Sequence, residues 1–240
     1  MSDFDLNCDL GELDGPAGEQ LDRCIIPLIR SANVACGAHA GSEQRMSLVA
    51  ELCRQHNVRF GAHPSYPDRA NFGRVELSIA DADLYQCLAE QLRLALQIAN
   101  AAGIRLTHVK PHGALYNVAA KRRNVAELIV QCVLEVTPDC ELYGLSGSTL
   151  IAVAKEHSLK TRSEVFADRN YASDGTLLPR SHPNAVLHDP HAITARVRQM
   201  LETGRVATID GPLITLLPET FCVHSDTAES VEILKAVSQL

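Results

Sequence analysis

A short apolar strand runs into a polar loop in RFGAHPSYPD, residues 59–68. A second Gly-Ala-His unit, in CGAHAG at residues 36–41, follows another apolar segment, so that His39 and His63 stand 24 residues apart. Two such units, each at the end of a predicted strand, are hard to ascribe to chance. We expect both imidazoles to face one cavity.

The alternation of short apolar runs with longer helical stretches continues along the whole chain. Between residues 81 and 102, leucine recurs at every fourth position, which is typical of a helix. Ser78 and Asp81 fit a capping box at the start of this helix, and Gly103 fits its end. We predict strands at residues 4–9, 32–36, 59–63, 106–110, 141–143, 163–167, 206–209 and 221–223. We predict further helices at residues 42–56, 123–136, 149–157, 191–203 and 228–239.

Repetition of strand, helix and strand indicates parallel pairing. Polar clusters follow at least five of the predicted strands. In a β/α barrel all strand ends converge on one mouth, whereas in an open, doubly wound sheet ligands gather at one switch point. We therefore predict an α/β fold with a TIM-like β/α barrel, either closed or seven-stranded and incompletely closed. No linker rich in Pro, Gly or Ser divides the chain, so residues 1–240 are predicted to form one domain.

The composition excludes several classes of protein. The chain carries a formal net charge of −7 and has no basic run, which argues against nucleic-acid binding. No stretch approaches the ~20 apolar residues that span a bilayer, and the N-terminus, MSDFDLNCDL, lacks the features of a secretory signal. The 8 cysteines form no C-x-x-C pair, so we expect reduced thiols, several of them buried. These features favour a cytoplasmic protein.

The first two polar clusters are NCDLGE, residues 7–12, and SANVACGAHAG, residues 31–41. Asp9 and Glu12 suit a general base, a general acid or metal ligands, although an isolated carboxylate after a strand more often caps a loop. Gly11 permits a tight turn between them. The small neighbours of His39 leave room for a ligand, although glycines in a turn would explain the same pattern.

The next two clusters add a lysine and an arginine. In HVKPHGALY, residues 108–116, strand alternation sends His108, Lys110 and His112 to one face. If that face is the barrel interior, Lys110 needs a partner and suits an oxyanion, a phosphate or a carboxylate. His108 is equally explained as a deep histidine that is hydrogen-bonded to a neighbour. Arg74 suits a bidentate contact with a carboxylate, but a surface ion pair is the commoner role.

The last clusters are YGLSGST at residues 143–149, EVFADRNY at 164–171 and CVHSD at 222–226. The first opens a helix and favours a turn with an N-cap over an anion contact; no P-loop motif occurs in the chain. Asp168 suits orienting a histidine or binding a metal, and so do His224 and Asp226. Taken singly, each would be an ion pair or a cap.

Together the clusters predict one hydrolase site at the mouth of the barrel. The candidate catalytic residues are Asp9, Glu12, His39, His63, Lys110 and His112. The candidate substrate- or phosphate-binding residues are Asn7, Asn33, Arg74, Tyr116, Asp168, Arg169, His224 and Asp226. A divalent metal, if present, would be held by Asp9, His39 and His63. The five histidines outside the motifs are predicted at the surface, at positions 56, 157, 182, 188 and 191.

These motifs together resemble the LamB/YcsF family from about Asp5 to Asp226, nearly the whole chain. The resemblance implies a β/α barrel of the glycoside hydrolase/deacetylase type. It implies ATP-dependent opening of 5-oxo-L-proline to L-glutamate in a complex with the 5-oxoprolinase subunits B and C, with ATP bound by this chain or by its partners. Two positions depart from the family pattern: Asn71-Phe72-Gly73-Arg74-Val75 replaces the usual Gly-Phe-Gly-Arg-Arg, and Ser225 replaces a glycine.

Two alternatives stand beside this lactam hydrolase. A stand-alone metal-dependent deacetylase or sugar hydrolase is suggested by an aspartate near several histidines at strand ends. A non-catalytic subunit that binds substrate is suggested by the lack of a P-loop, because ATP would then sit wholly on partners.

Overall fold

The computed structural model of the chain describes residues 4–240. Its strands are β1 (Asp5–Leu10), β2 (Ser31–Ala35), β3 (Arg59–His63), β4 (Leu106–Val109), β5 (Glu141–Leu145), β6 (Thr161–Phe166), β7 (Arg205–Ala207), β8 (Leu213–Thr215) and β9 (Thr220–Cys222). Seven of them form a closed parallel barrel in the order β1-β2-β3-β4-β5-β6-β9. Because β9 pairs with β6 on one side and with β1 on the other, the ring of strands is complete. The prediction of a β/α barrel is confirmed with seven strands, and the incompletely closed variant is wrong.

One of the predicted strands lies outside the barrel. The segment predicted at residues 206–209 corresponds to β7, which pairs antiparallel with β8 in a separate two-stranded sheet. The alternation of exposed and buried residues explains the difference: in β7 only Val206 is buried, and β8 has no buried residue. Strands of a parallel barrel are covered on both faces and read as buried throughout, as β1 and β2 do.

The helices are α1 (Gly15–Ile25), α2 (Glu43–His56), α3 (Asp81–Ala101), α4 (Gly113–Ala119), α5 (Arg123–Val136), α6 (Thr149–Glu156), α7 (Pro190–Thr203) and α8 (Ser230–Val237). Neither α1 nor α4 follows from the sequence patterns, since α4 is short and α1 has few apolar residues. The capping box predicted for α3 is wrong, because its N-cap is Ala80, which makes no side-chain capping bond. Gly103 ends that helix as predicted, with a φ of +69°.

Many of the side chains inside the barrel are polar. On β1, Leu6, Cys8 and Leu10 belong to the apolar core under the helices. Asp5 and Asp9 accept hydrogen bonds from the neighbouring strand β2, and Asn7 donates one to Glu164 on β6. At the amino-terminal end of the strands, the carboxylate of Glu141 lies 2.5 Å from Arg59 and 3.1 Å from Arg162. We call these three residues, with the buried Tyr143 above them, the barrel floor.

The lengths of the helices and the state of the cysteines can be compared with the sequence predictions. No helix in the described part of the chain is both long and apolar enough to cross a membrane. The cysteines are free thiols, and the buried ones are Cys8, Cys36, Cys53, Cys132, Cys140 and Cys222, which confirms that several are buried.

Candidate active site

The carboxyl ends of the strands form the mouth of the barrel. Asp9 is the last inward-facing residue of β1, because alternate side chains of a strand point to the same face. Gly11 then adopts a φ of +73°, which glycine tolerates without strain. The resulting turn returns the chain over the mouth, where the Glu12 carboxylate lies 3.2 Å from Nδ1 of His112. The tight turn predicted at Gly11 is thus observed.

A buried ammonium group lies at the centre of the mouth. Nζ of Lys110 lies 2.9 Å from Oδ1 of Asp9 and 2.9 Å from Oε1 of Glu164. It also contacts Oδ1 of Asn7 at 3.3 Å and Sγ of Cys222 at 3.2 Å. The side chain of Lys110 is only 3% exposed, so its charge is balanced by these carboxylates and not by water.

The electrostatic balance of this centre follows from its geometry. Burial by itself would lower the pKa of Lys110, but the carboxylates of Asp9 and Glu164 outweigh it and hold that pKa well above its usual value. Burial would raise the pKa of Asp9, but His63 and Lys110 hold it well below its usual range. Burial also raises the pKa of the Cys222 thiol. Lys110 is therefore a cation, Asp9 is an anion, and Cys222 is a neutral thiol.

A layer of amides and one imidazole supports Asp9 from below. Asn33 donates from Nδ2 to Oδ1 of Asp9 and to Oδ1 of Asn7, both at 2.8 Å. Nε2 of His108 lies 2.9 Å from the Asn33 carbonyl oxygen, and its ring stacks on Tyr143 at 4.2 Å. Burial lowers the pKa of His108 well below its usual value, so this ring is neutral. His108 thus has the structural role that the sequence left open.

Gly61 is required by the position of the His108 ring. A Cβ atom built on Gly61 would lie 2.1 Å from Nε2 of His108, far inside any real contact distance. The glycine of the Gly-Ala-His unit at residues 61–63 therefore makes space inside the barrel, and its role is packing.

Three histidines and two carboxylates form a compact group above Lys110. Nε2 of His63 lies 3.4 Å from Oδ2 of Asp9 and 3.0 Å from Nδ1 of His112. His39 stacks on His112 with ring centroids 3.7 Å apart, and its Nε2 lies 3.1 Å from Oε1 of Glu12. Burial lowers the pKa of His39 to about 4, so its ring is neutral. The rings of His39 and His63 lie close together, with centroids 5.7 Å apart, but only His63 lies on the wall of the cavity, so the expectation that both face it is wrong for His39.

Backbone carbonyls fix the tautomers of two of these rings. Nδ1 of His63 lies 2.6 Å from the carbonyl oxygen of Lys110, and Nε2 of His112 lies 2.9 Å from the carbonyl oxygen of Phe72. A carbonyl oxygen only accepts hydrogen bonds, so each of these nitrogens carries the proton. The other nitrogen of each ring, Nε2 of His63 and Nδ1 of His112, then holds a lone pair directed into the group whenever the ring is neutral.

The loop that departs from the family pattern holds His112 in place. Phe72 has a left-handed backbone with a φ of +55°, which directs its carbonyl toward His112. Gly73 follows with a φ of +63°, and a Cβ there would lie 2.3 Å from Oγ of Ser65. Asn71 anchors the loop through hydrogen bonds to Asp68. The substitution at position 71 therefore leaves the contact between residue 72 and His112 intact.

A second imidazole–carboxylate pair lies on the opposite side of the mouth. Asp168 accepts the backbone N–H of His224 at 2.9 Å, and Nδ1 of His224 lies 3.0 Å from the same carboxylate oxygen. Burial would raise the pKa of Asp168, but His224 keeps it below its usual value. With Nδ1 held by a carboxylate, Nε2 of His224 is the nitrogen available for proton transfer. The structure thus realises the predicted orientation of a histidine by Asp168.

The site opens into a cavity of about 680 Å³. Asp9, Glu12, His63, Lys110 and His112 lie on its walls, together with Tyr116, Phe166 and His224. The rim of the cavity is more basic than acidic, because Arg74, Lys121, Arg122 and Arg180 line it against two carboxylates, Glu76 and Asp226. Such a rim attracts an anionic ligand.

Two of the predicted binding residues have mainly structural contacts. Arg74 forms an ion pair with Asp226 at 2.5 Å, and Arg180 joins it at 3.0 Å, which confirms the simpler interpretation of Arg74. Arg169 donates to the backbone carbonyls of Leu178 and Ala185, so its guanidinium holds a loop together.

Sequence reasoning missed several residues of the site. Glu164 is completely buried and contacts Lys110, Asn7 and the hydroxyl of Tyr116, the last at 2.7 Å. The signal was available, because a lysine confined in a barrel requires a carboxylate and Glu164 alternates with Phe166 and Asp168 along β6. The other residues missed are Cys222, which contacts Lys110, Ser225, which donates to the carbonyl of Asp9, and Arg180, Lys121 and Arg122 on the rim.

The grouping of possible metal ligands also differs from the sequence prediction. The ligand atoms of Asp9, Glu12, His63 and His112 all lie within 4.8 Å of one another. His39, which the sequence placed in this set, lies behind Glu12 and contacts it through Nε2. We call Asp9, Glu12, His63 and His112 the histidine–carboxylate cluster.

Comparisons with known proteins agree with this architecture. The chain matches the model of the LamB/YcsF family over residues 4–240. It is 41% identical over 237 residues to a Haemophilus influenzae protein named as the A subunit of 5-oxoprolinase, covering 99% of this chain and 95% of the relative. It is 41% identical over 239 residues to the protein of that name from Neisseria meningitidis, covering 100% and 96%. The solved structure of a lactam utilization protein from Thermus thermophilus superimposes with a TM-score of 0.91 at 35% identity, covering 99% of this chain and 95% of that one.

Proposed function

The chain belongs to the LamB/YcsF family, and from this membership we propose that it is the A subunit of an ATP-dependent 5-oxoprolinase, which opens 5-oxo-L-proline to L-glutamate. Relatives that it matches over nearly their whole length are named as the A subunit of 5-oxoprolinase. The structural relative from Thermus thermophilus is named a lactam utilization protein. 5-Oxoproline is itself a lactam, so both names describe the same substrate class.

One observation carries the proposal: a buried ammonium and an oriented histidine line one cavity of a suitable size. Lys110 and His224 both lie on the walls of the 680 Å³ cavity, which is within the usual range for small-molecule sites. Opening a lactam needs a base for the attacking water and positive charge for the oxygen that becomes negative. His224 and Lys110 supply these two functions.

The cations at the rim suit the anionic parts of the substrates. 5-Oxoproline carries a carboxylate, and a phosphoryl group transferred from ATP carries further negative charge. Arginine binds both groups through paired N–H donors. Arg74 and Arg180 hold the Asp226 carboxylate at the rim, and we propose that a substrate carboxylate displaces Asp226 from them.

Of the candidate bases, His224 is better placed than Asp9. Oδ1 of Asp9 already accepts hydrogen bonds from Asn33 and Lys110, and the pKa of Asp9 lies well below its usual range, so this carboxylate is a poor proton acceptor. His224 has its Nδ1 on Asp168 and its Nε2 free for a water molecule. Asp9 instead fixes Lys110, whose weaker contacts with Asn7 and Cys222 are the ones that a substrate oxygen would replace.

The chemistry that we propose proceeds in three steps. ATP phosphorylates the lactam oxygen and leaves as ADP, which makes the ring carbon electrophilic. His224 takes a proton from water as the water oxygen adds to that carbon, and the C–N bond breaks as the ring nitrogen takes up a proton. A second water then cleaves the resulting acyl phosphate to L-glutamate and phosphate.

Partner subunits complete the proposal. The lettered subunit name of the relatives implies an assembly of several chains, and we propose that subunits B and C are the partners. The chain has no P-loop motif, so we assign the binding of ATP to a surface shared with those partners or to the partners alone. We propose that the complex works in the cytoplasm.

Reconstitution tests the proposal. The chain mixed with subunits B and C, ATP and 5-oxo-L-proline should release L-glutamate and ADP. In that complex His224→Gln should lower kcat by a factor of about 10²–10⁴, the usual contribution of a general base. His157→Gln, which changes an exposed histidine away from the cavity, is the matched control and should leave kcat unchanged.

Two results would contradict the proposal. A complex that forms but releases no glutamate would exclude the reaction. Glutamate formed by subunits B and C without this chain would exclude its catalytic role and favour the non-catalytic alternative.

The histidine–carboxylate cluster favours a second candidate, a metal-dependent deacetylase or sugar hydrolase that acts without partners. Two imidazoles and two carboxylates resemble the ligand sets that activate water in such enzymes. Release of acetate or of reducing sugar from N-acetylated oligosaccharides by the isolated chain, sensitive to EDTA, would support this candidate. No release with metal supplied would eliminate it.

A further inference from the structure

The histidine–carboxylate cluster has an arrangement of lone pairs that calls for a positive charge at its centre. Nε2 of His63 and Nδ1 of His112 are 3.0 Å apart, and the tautomers set by the Lys110 and Phe72 carbonyls leave both nitrogens without a proton in neutral rings. The Asp9 and Glu12 carboxylates approach the same two nitrogens, at 3.4 Å and 3.2 Å. Four electron-rich atoms that face one another in a buried site repel unless a cation lies between them.

The charge balance of the surrounding groups leads to the same conclusion. Asp9 and Glu164 share the ammonium of Lys110, whereas the Glu12 carboxylate contacts the rings of His39, His63 and His112. When the imidazoles are neutral, one ammonium against three carboxylates leaves two negative charges. A divalent cation would neutralise them.

The outer contacts of the two histidines are those of metal ligands. A histidine that binds a metal through one ring nitrogen almost always donates the other N–H to a carbonyl or a carboxylate, which fixes the ring. His63 does so to Lys110 and His112 does so to Phe72. His39 adds a third support, because its Nε2 contacts Oε1 of Glu12 and holds that carboxylate toward the centre.

We infer that Asp9, Glu12, His63 and His112 bind one divalent transition-metal ion at the barrel mouth. Two imidazole nitrogens and two carboxylate oxygens suit Zn²⁺ or Mn²⁺, with an open position for water or a substrate oxygen toward the cavity. The inference concerns the isolated chain and does not depend on the reaction proposed above. It assigns Glu12 and His112 as ligands and His39 as a positioning residue.

The test uses untagged, full-length protein that has been dialysed against a chelator and then titrated with ZnCl₂ by calorimetry, with bound zinc counted by mass spectrometry after desalting. We expect one zinc per chain. Glu12→Gln and His112→Gln should each weaken binding by a factor of about 100 or more, beyond the 10–100-fold typical of residues that only orient a ligand. His56→Gln, an exposed histidine of α2, should bind zinc like the wild type.

A folded state is verified for each variant by circular dichroism, and zinc should raise the Tm of the wild type but not that of His112→Gln. Cobalt substitution provides an independent measurement: a spectrum without a thiolate-to-cobalt band is expected. Such a band would place the ion instead at Cys222, which lies with Asp9 and His224 in a second possible group, and would overturn the assignment. Wild-type protein that retains no more zinc or manganese than the Glu12→Gln variant would also overturn it, and would leave a shared proton as the cation of the cluster.

Discussion

Removing the ammonium of Lys110 should destabilise the barrel more than any change on its surface. Lys110→Met keeps most of the side-chain volume but leaves Asp9 and Glu164 buried without their common partner, which each contacts at 2.9 Å. Breaking a buried ion pair by removing one partner typically costs about 3–5 kcal/mol. In a domain of this size, about 1 kcal/mol lowers the Tm by roughly 2–4 °C. We therefore expect the Tm of Lys110→Met to fall by roughly 6–20 °C at pH 7.

Differential scanning calorimetry of the isolated chain gives this Tm. The double variant Lys110→Met with Glu164→Gln removes one of the unpaired carboxylates and should recover part of the loss. The difference in Tm between Lys110→Met and the wild type should also become smaller as the pH falls toward about 4, the usual range of carboxyl pKa values. At that pH the unpaired carboxylates take up protons. A single variant whose Tm stays within about 2 °C of the wild type would refute the electrostatic role assigned to Lys110.

The stability of the fold should also depend on the packing at Gly61, on the helix cap at Ser42 and on the protonation of His108. Gly61→Ala should cost about 1–3 kcal/mol through overpacking against His108 and lower the Tm by several degrees in calorimetry; an unchanged Tm would mean that the ring moves freely. Ser42→Ala should cost about 1 kcal/mol, because its hydroxyl oxygen accepts the Arg45 N–H at the start of α2, whereas Ser47→Ala within that helix should not; equal losses in urea unfolding would contradict the capping role. The pKa of His108 is lowered on folding, so the unfolded chain binds a proton below pH ~6.5 that the folded chain rejects. Stability should therefore decrease as the pH falls below that value, and His108→Gln should show a shallower decrease; identical pH slopes would exclude the effect.

The sequence predicts the polar side of the strands better than it predicts the partners of each side chain. Alternation correctly predicts that His108 and Lys110 point into the barrel. His112 joins them from the loop after β4, as the N-cap residue of α4, where the period of a strand no longer applies. Glu164 begins the EVFADRNY cluster, but it lies inside the strand and not at its end, where functional polar residues are expected. Its partners become clear in the closed barrel, where only β9 separates β6 from β1 and the Asn7 amide reaches the Glu164 carboxylate at 3.0 Å.

Contacts between loops that are distant in the sequence are a second feature of the site that sequence patterns do not predict. The ion pair of Arg74 and Asp226 joins residues 152 positions apart, and the orientation of His112 depends on a carbonyl of Phe72. Contacts between loops also explain why the histidine–carboxylate cluster contains Glu12 and His112, and not His39 as the sequence predicted. Which ring nitrogen faces inward is set by backbone carbonyls whose position is a property of the folded loop.

The barrel floor limits how a ligand can reach the cavity. Glu141, Arg59 and Arg162 fill the amino-terminal end of the barrel with ion pairs, so the cavity communicates with solvent through the opposite end. A ligand of this cavity therefore enters and leaves through the same end of the barrel. A protein bound over the mouth of the barrel would close the cavity to solvent. A reactive intermediate inside would then be shielded from bulk water until the two proteins separate.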